Sequence, residues 1–336
     1  MNRASLGRFA GVLVAVATLS ACTGGSPLGP ASAAIDSGYV GKMLQINGRL
    51  VTAERAPSAM PTFATLVRAR ARIGKDFEYI DNIYGSYASI FDYPKSTAQI
   101  GGINGVGGQA CTNVLYGYGR KTFWIVESDK EINEYAAPKK PLKSLSDSVG
   151  MPSSCAMNLS GDLAVGILNG PGTGDVVVYA GAHGKGTAMK TPLSAEYFDG
   201  YDAAGNLFAD GFTHSGRVAL VGLLKGTSKF QIIATSNGIG FPGSVQWDGR
   251  SLTVFDQHAN ALYEYTVKGT KALLKHTVRL AGSSDCAQTW IVKGLIYCAD
   301  AGTNGAEVFN YPAGGSPAAV FSGDFDVPLG TTAAKN

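Results

Sequence analysis

The chain has 336 residues, with 28 Lys or Arg against 25 Asp or Glu, a formal charge of +3 and only 16% charged residues. A balance this close to neutral gives no strong field for a polyanion, so nucleic acid is excluded from the expected partners. The 45 glycines and 10% aromatic residues suit short strands joined by tight turns better than long helices, and an all-β fold is the expectation.

Arg3 and Arg8 precede an apolar run, Phe9 to Leu19, that is too short to span a bilayer as a helix and reads as a signal peptide. The run ends in Leu19-Ser20-Ala21-Cys22, which resembles the lipobox of bacterial lipoproteins. The resemblance implies that residues 1–21 are removed. It also implies that Cys22 is lipidated with acyl chains, palmitate among them, and that the protein stays on the outer face of a bacterial membrane. Several acyl chains anchor stably where one does not. Thr23 stands where inner-membrane lipoproteins often carry Asp, so the outer membrane is expected in an organism that has one. A secretory signal that happens to contain a cysteine is the alternative. Residues 22–60 are rich in Gly, Ser, Pro and Ala and read as a flexible tether. In a lead-in over 61–75, Arg68, Arg70 and Arg72 alternate with small residues, either as the solvated face of an edge strand or as a contact for anionic head groups.

From residue 76 to 333 the chain repeats. Turn glycines recur at Gly161, Gly205, Gly249 and Gly294, at steps of 44, 44 and 45, each followed by an apolar strand start. Tyrosines closing a later strand recur at Tyr93, Tyr135, Tyr179, Tyr265 and Tyr311, with an aliphatic three residues before each. Six copies of about four short strands, with a period near 43 residues, predict a six-bladed β-propeller with four-stranded blades. The first copy, which begins near Phe77, lacks an inner strand. Val327-Pro328-Leu329-Gly330-Thr331-Thr332 is similar to the inner-strand entries near Met151 and Phe241, so Leu329–Ala333 is expected to pair with Phe77–Ile80 and close the ring.

The units resemble NHL-type blades through Gly205-Asn206-Leu207-Phe208-Ala209-Asp210 and Gly294-Leu295-Ile296-Tyr297-Cys298-Ala299-Asp300, and the whole resembles bacterial propeller lipoproteins. That resemblance implies a fold and no particular activity. Cys111 and Cys155 fall on inner strands of adjacent copies, and Cys286 and Cys298 flank the hairpin at Lys293-Gly294. In an exported chain the pairs Cys111–Cys155 and Cys286–Cys298 are the expected disulfides, with buried free thiols as the alternative.

On a propeller the loops around the channel mouth are the usual ligand site, and here that face collects Glu127, Asp199, Asp256, His258, Asp285 and Asp300. Oxygen-rich clusters suit a hard divalent cation such as calcium, and six-bladed lactonases and lyases use such sites. Strand-end acids recurring once per blade also cap the following turn, which is the preferred reading of Glu127, Asp256 and Asp300. Trp124, Trp247 and Trp290 recur near the inner strands, either lining the channel or wedged between blades. Histidine-carboxylate zinc motifs, a serine nucleophile elbow and a phosphate loop are all missing from the sequence. The expected function is a monomeric, membrane-anchored module that binds a protein, glycan or small molecule. A metal-dependent lactonase- or lyase-like enzyme is the alternative.

Overall fold

The computed structural model describes residues 76–82, 87–112, 122–127, 131–136, 142–146, 150–168 and 174–335. Cys22 and the expected signal peptide, tether and lead-in lie outside the described residues.

Strands dominate the described chain. It runs through β1 (Asp76–Asn82), β2 (Tyr87–Phe91) and β3 (Gly101–Asn104), then β4 (Gly108–Cys111), β5 (Thr122–Glu127), β6 (Glu131–Ala136) and β7 (Lys143–Ser146). Next come β8 (Pro152–Met157), β9 (Leu163–Ile167), β10 (Asp175–Tyr179) and β11 (Thr187–Lys190), and β12 (Leu193–Tyr201), β13 (Leu207–Thr213), β14 (Val218–Leu223) and β15 (Gln231–Thr235). The last groups are β16 (Val245–Trp247), β17 (Leu252–Asp256), β18 (Ala261–Lys268) and β19 (Lys271–Arg279), then β20 (Cys286–Val292), β21 (Leu295–Asp300), β22 (Gly305–Asn310) and β23 (Gly314–Val320), and finally β24 (Pro328–Lys335).

Among the described residues these strands form four four-stranded sheets and one eight-stranded sheet. Within each run of four, neighbouring strands pair antiparallel, and the turns after β8, β12, β16 and β20 carry the glycines whose period the sequence already displays. Gly161, Gly205, Gly249 and Gly294 all have positive φ, at 92°, 84°, 99° and 74°, which is why glycine recurs there. The side chain of Asp248 fixes one such turn by accepting the N–H groups of Arg250 and Ser251, both at 2.6 Å. The recurrent tyrosines have a physical role as well. Tyr179 donates its hydroxyl to the Ser146 carbonyl at 3.4 Å, Tyr265 to Asn237 at 2.8 Å and Tyr311 to Asp248, so each ties its own four strands to the preceding group.

The first sheet has the order β24-β1-β2-β3. β24 pairs antiparallel with β1, with Thr332 opposite Tyr79 and Thr331 opposite Ile80, as the repeat predicts. The join is tight: a Cβ on Gly330 would lie 2.3 Å from the Gly108 carbonyl oxygen of β4. The first strands of the runs pack side by side around an axis, β24 beside β4, then β8, β12 and β16, with β20 returning to β24. Hydrogen bonds from Gln246 to Ile291 join β16 to β20.

Sheets packed on both faces need apolar residues on both faces, and the fully buried runs of β2 and β17 supply them. Phe77, Tyr79, Ile90, Phe123, Ile125 and Tyr135 fill one such layer between the first two sheets. Two disulfides add to the packing. Cys111–Cys155 links β4 to β8 with Cα atoms 5.7 Å apart, and Cys286–Cys298 links β20 to β21 at 5.3 Å. Both pairings are the expected ones. In the chain-entropy account the longer loop contributes about 4 kcal/mol and the shorter about 3 kcal/mol.

One feature has no counterpart in the repeat. The eight-stranded sheet consists of two antiparallel runs, β12–β15 and β16–β19, joined at their outer strands by a short parallel pairing of Ala234 with Lys271 and Thr235 with Ala272. Ser236 reinforces the junction, its N–H donating to the Ala272 carbonyl at 3.0 Å and its hydroxyl accepting the Leu274 N–H at 2.8 Å.

Candidate functional site

The axis is filled by side-chain amides. Gln246 of β16 accepts the Ile291 N–H at 2.8 Å and donates to the Ile291 carbonyl at 2.9 Å, taking the place of a neighbouring strand. Gln288 of β20 treats Ala110 of β4 the same way, at 3.2 and 2.9 Å, and also accepts the Thr331 N–H of β24 at 2.9 Å. Gln109 reaches from β4 to the Tyr197 carbonyl of β12 at 3.4 Å. Trp247 and Trp290 line what remains, together with Tyr201 and Ser154, and the free volume there is about 10 Å³. That is room for about one water molecule. Trp124 packs instead among Cys111, Val126, Cys155 and other core residues.

Of the five acids and one histidine expected at the channel mouth, two are held by turns. Asp256 accepts four backbone N–H groups: Gly240 and Phe241 at 2.8 and 3.1 Å from the segment entering β16, and His258 and Ala259 at 3.0 and 3.3 Å from the turn after β17. Asp300 repeats the pattern at the same sequence offsets, accepting Ser284, Asp285, Gly302 and Thr303 at 2.7, 3.1, 2.9 and 3.0 Å. Each carboxylate staples the entry of an inner strand to the turn above it. Glu127 is occupied by the Asn133 amide at 2.6 Å and the Tyr135 hydroxyl at 3.3 Å. Asp285 is buried beside Asp300, and burial followed by that neighbouring charge pushes its carboxyl up to about 7. His258 is exposed.

Asp199 lies on the axis itself, within a buried acidic group that sequence reasoning missed. Glu196 is fully buried against β8, where its carboxyl accepts the Ser153 and Ser154 hydroxyls at 2.7 and 3.1 Å. Burial outweighs those bonds and raises it to about 8. Asp199 and Asp210 are also raised well above the carboxylate range, chiefly by burial, with Glu196 adding to both. Room for Glu196 comes from Gly166, where a Cβ would fall 1.7 Å from the carboxylate oxygen. A glycine in a strand facing a glutamate two strands away leaves no linear signature.

Among the described residues the only grouping with metal-ligand spacing is Cys286, Cys298 and Asp300. Its sulfurs are spent in a disulfide, so it offers no thiolate.

A chain of the nidogen/laminin complex superposes with a TM-score of 0.60 at 12% identity, over 77% of this chain and 98% of its own length. The fold is propeller-like. A protein of unknown function from Bacteroides caccae matches at 0.59 and 11% identity, over 78% of this chain and all of its own. No protein-family model matches the sequence, and no curated protein is similar to it.

With its axis packed, the propeller-like body offers concave space on its flank. An open groove of about 480 Å³ runs along β14 and β15, walled by Val218, Ala219, Ile232 and Ile239, with Arg217 the only charged group on its lining. Its size falls in the range of ligand sites.

Proposed function

We propose that this chain is a membrane-anchored binding module: a six-bladed, NHL-type propeller held by a lipidated Cys22 on the outer face of a bacterial membrane and binding through its outer surface. The observation that carries the reading is the axis, where the amides of Gln246 and Gln288 occupy the space in which a channel ligand would sit. The strand-end acids add support, since a carboxylate accepting four N–H groups has little capacity left for a substrate or an ion. The six-blade count is supported by reading the eight-stranded sheet as two blades touching at their rims. The nidogen/laminin neighbour is a complex of proteins, in keeping with a binding role at the level of fold alone.

Two measurements test the reading. Labelling with radioactive palmitate should mark the parent chain and be lost in Cys22→Ser. A photo-crosslinker at Ile239 in the groove should capture a partner on intact cells that one at Leu159, an exposed apolar residue elsewhere, does not. Capture from neither site, together with turnover of lactone or lyase substrates by the purified chain, would replace the binding module with an enzyme.

A further inference from the structure

The groove opens onto an outer rim whose chemistry is unlike the rest of the chain. Between residues 211 and 284 there are eight Lys or Arg and three Asp or Glu, a surplus of five where the whole chain carries +3. From 211 to 247 there is no acid at all. Of the three acids, Asp256 is buried in its turn and Glu264 faces His276 at 3.4 Å.

The parallel junction decides how these residues are displayed. Ala234 sits opposite Lys271, so their side chains share a face, and residues two along, Ile232 and Leu273, share it too. Lys268 is directly opposite Lys271 across the β18–β19 hairpin and joins the same face. Like charges directly opposite repel, and the described residues place no carboxylate between them. Ile232, Leu273 and the adjacent Leu274 are 53%, 49% and 37% exposed, three of the large aliphatic residues this protein leaves in solvent. Lys275 follows at the bulge in β19.

Cations interleaved with exposed aliphatic side chains match the boundary of an anionic bilayer, where ammonium groups meet phosphates and aliphatic tips enter the acyl region. A hydrophilic polyanion would leave Ile232 and Leu273 without a partner, and a neutral apolar one would leave the lysines unmatched. We propose that the rim where β15 meets β19 docks onto an anionic phospholipid surface. The proposal rests on the reading of the chain as an outer-surface binding module, and it names that module's partner. Docking of this kind would fix the orientation of a propeller that a tether alone leaves free, and a lipid anchor would raise the local concentration of the surface it binds.

The test uses residues 22–336, the chain without the expected signal peptide, carrying Cys22→Ser so that acylation contributes nothing, sedimented with vesicles of phosphatidylcholine alone or mixed with phosphatidylglycerol. The chain should pellet with the mixed vesicles only, and less at high salt. Lys268→Glu, Lys271→Glu and Lys275→Glu together should weaken this by at least about tenfold. Ile232→Ser with Leu273→Ser should weaken it while preserving the salt dependence. All five positions are exposed, and unchanged melting temperatures would show that the variants fold. The proposal is overturned if the parent stays in solution with both vesicles, pellets equally with neutral ones, or is matched by the triple variant. Capture of an acidic protein by a photo-crosslinker at Leu273, without vesicle binding, would also overturn it while leaving the binding-module reading intact.

Discussion

Gln288 and Ala110 are 178 residues apart in the chain and hydrogen-bonded to each other twice, the amide oxygen accepting the Ala110 N–H at 3.2 Å and the amide nitrogen donating to its carbonyl at 2.9 Å. The side chain supplies what a paired strand would, in a place where no strand fits. Replacing it by Leu keeps the bulk but strands the Ala110 N–H and carbonyl and the Thr331 N–H, all buried. Gln288→Leu should therefore lose about 2–4 kcal/mol, read as a lower urea midpoint with an unchanged slope. A midpoint equal to the parent's would mean that water solvates these groups and that the axis is more open than its geometry indicates.

The C-terminal strand should be indispensable. β24 supplies the whole inner edge of the first sheet, its Thr331 hydroxyl bonds Glu78 at 2.6 Å, and its backbone meets Gln288. Removing residues 324–336 exposes the β1 edge and leaves Glu78 buried without that donor. The expected result is loss of a single cooperative unfolding transition, or a melting temperature many degrees lower; an unchanged transition would show that β24 is an accessory strand.

That strand was legible in the sequence because the Val327–Thr332 segment is similar to inner-strand entries elsewhere, and the first copy visibly lacks one. The Cys111–Cys155 bridge was legible because a repeat converts sequence spacing into neighbourhood, and the Cys286–Cys298 bridge because its cysteines flank one hairpin. What was not legible depends on contacts between copies at positions without period. Gln109, Gln246 and Gln288 look like ordinary polar strand residues until the ring brings them to the axis. Glu196 finds its place only because Gly166 lacks a side chain. Asp199, expected at the mouth, lines the small axial space, as does Cys155 one period earlier.

Asp256 should behave as a structural group. Its carboxylate accepts N–H groups from both segments it joins, so Asp256→Ala should cost about 2–4 kcal/mol of stability. Asp300→Ala should behave alike through Ser284, Asp285, Gly302 and Thr303. In both variants and in the parent, melting temperature should be indifferent to calcium and to EDTA. A calcium-dependent rise in the parent that Asp256→Ala abolishes would instead make this carboxylate a metal ligand.

Buried acids with no cationic partner among the described residues set the pH dependence. Burial raises Glu196 to about 8, and raises Asp285 and Glu307 to about 7, against about 4 for such groups in an unfolded chain. Between those limits the folded state holds protons that the unfolded state has released, so folding is favoured by acid. Their contribution is complete below about pH 4, falls as pH rises through the window, and levels off above about 8, at a slope near 1.4 kcal/mol per pH unit for each group. Glu196→Gln mimics the protonated acid, keeping an oxygen to accept one serine hydroxyl and an amide to occupy the space beside Gly166. Urea midpoints should fall with rising pH in the parent and fall less steeply in Glu196→Gln, with the two curves crossing toward the alkaline end, where the variant becomes the more stable. Parallel curves would mean that Glu196 titrates in the fold as it does in water, and that its serine bonds, rather than its burial, govern its charge.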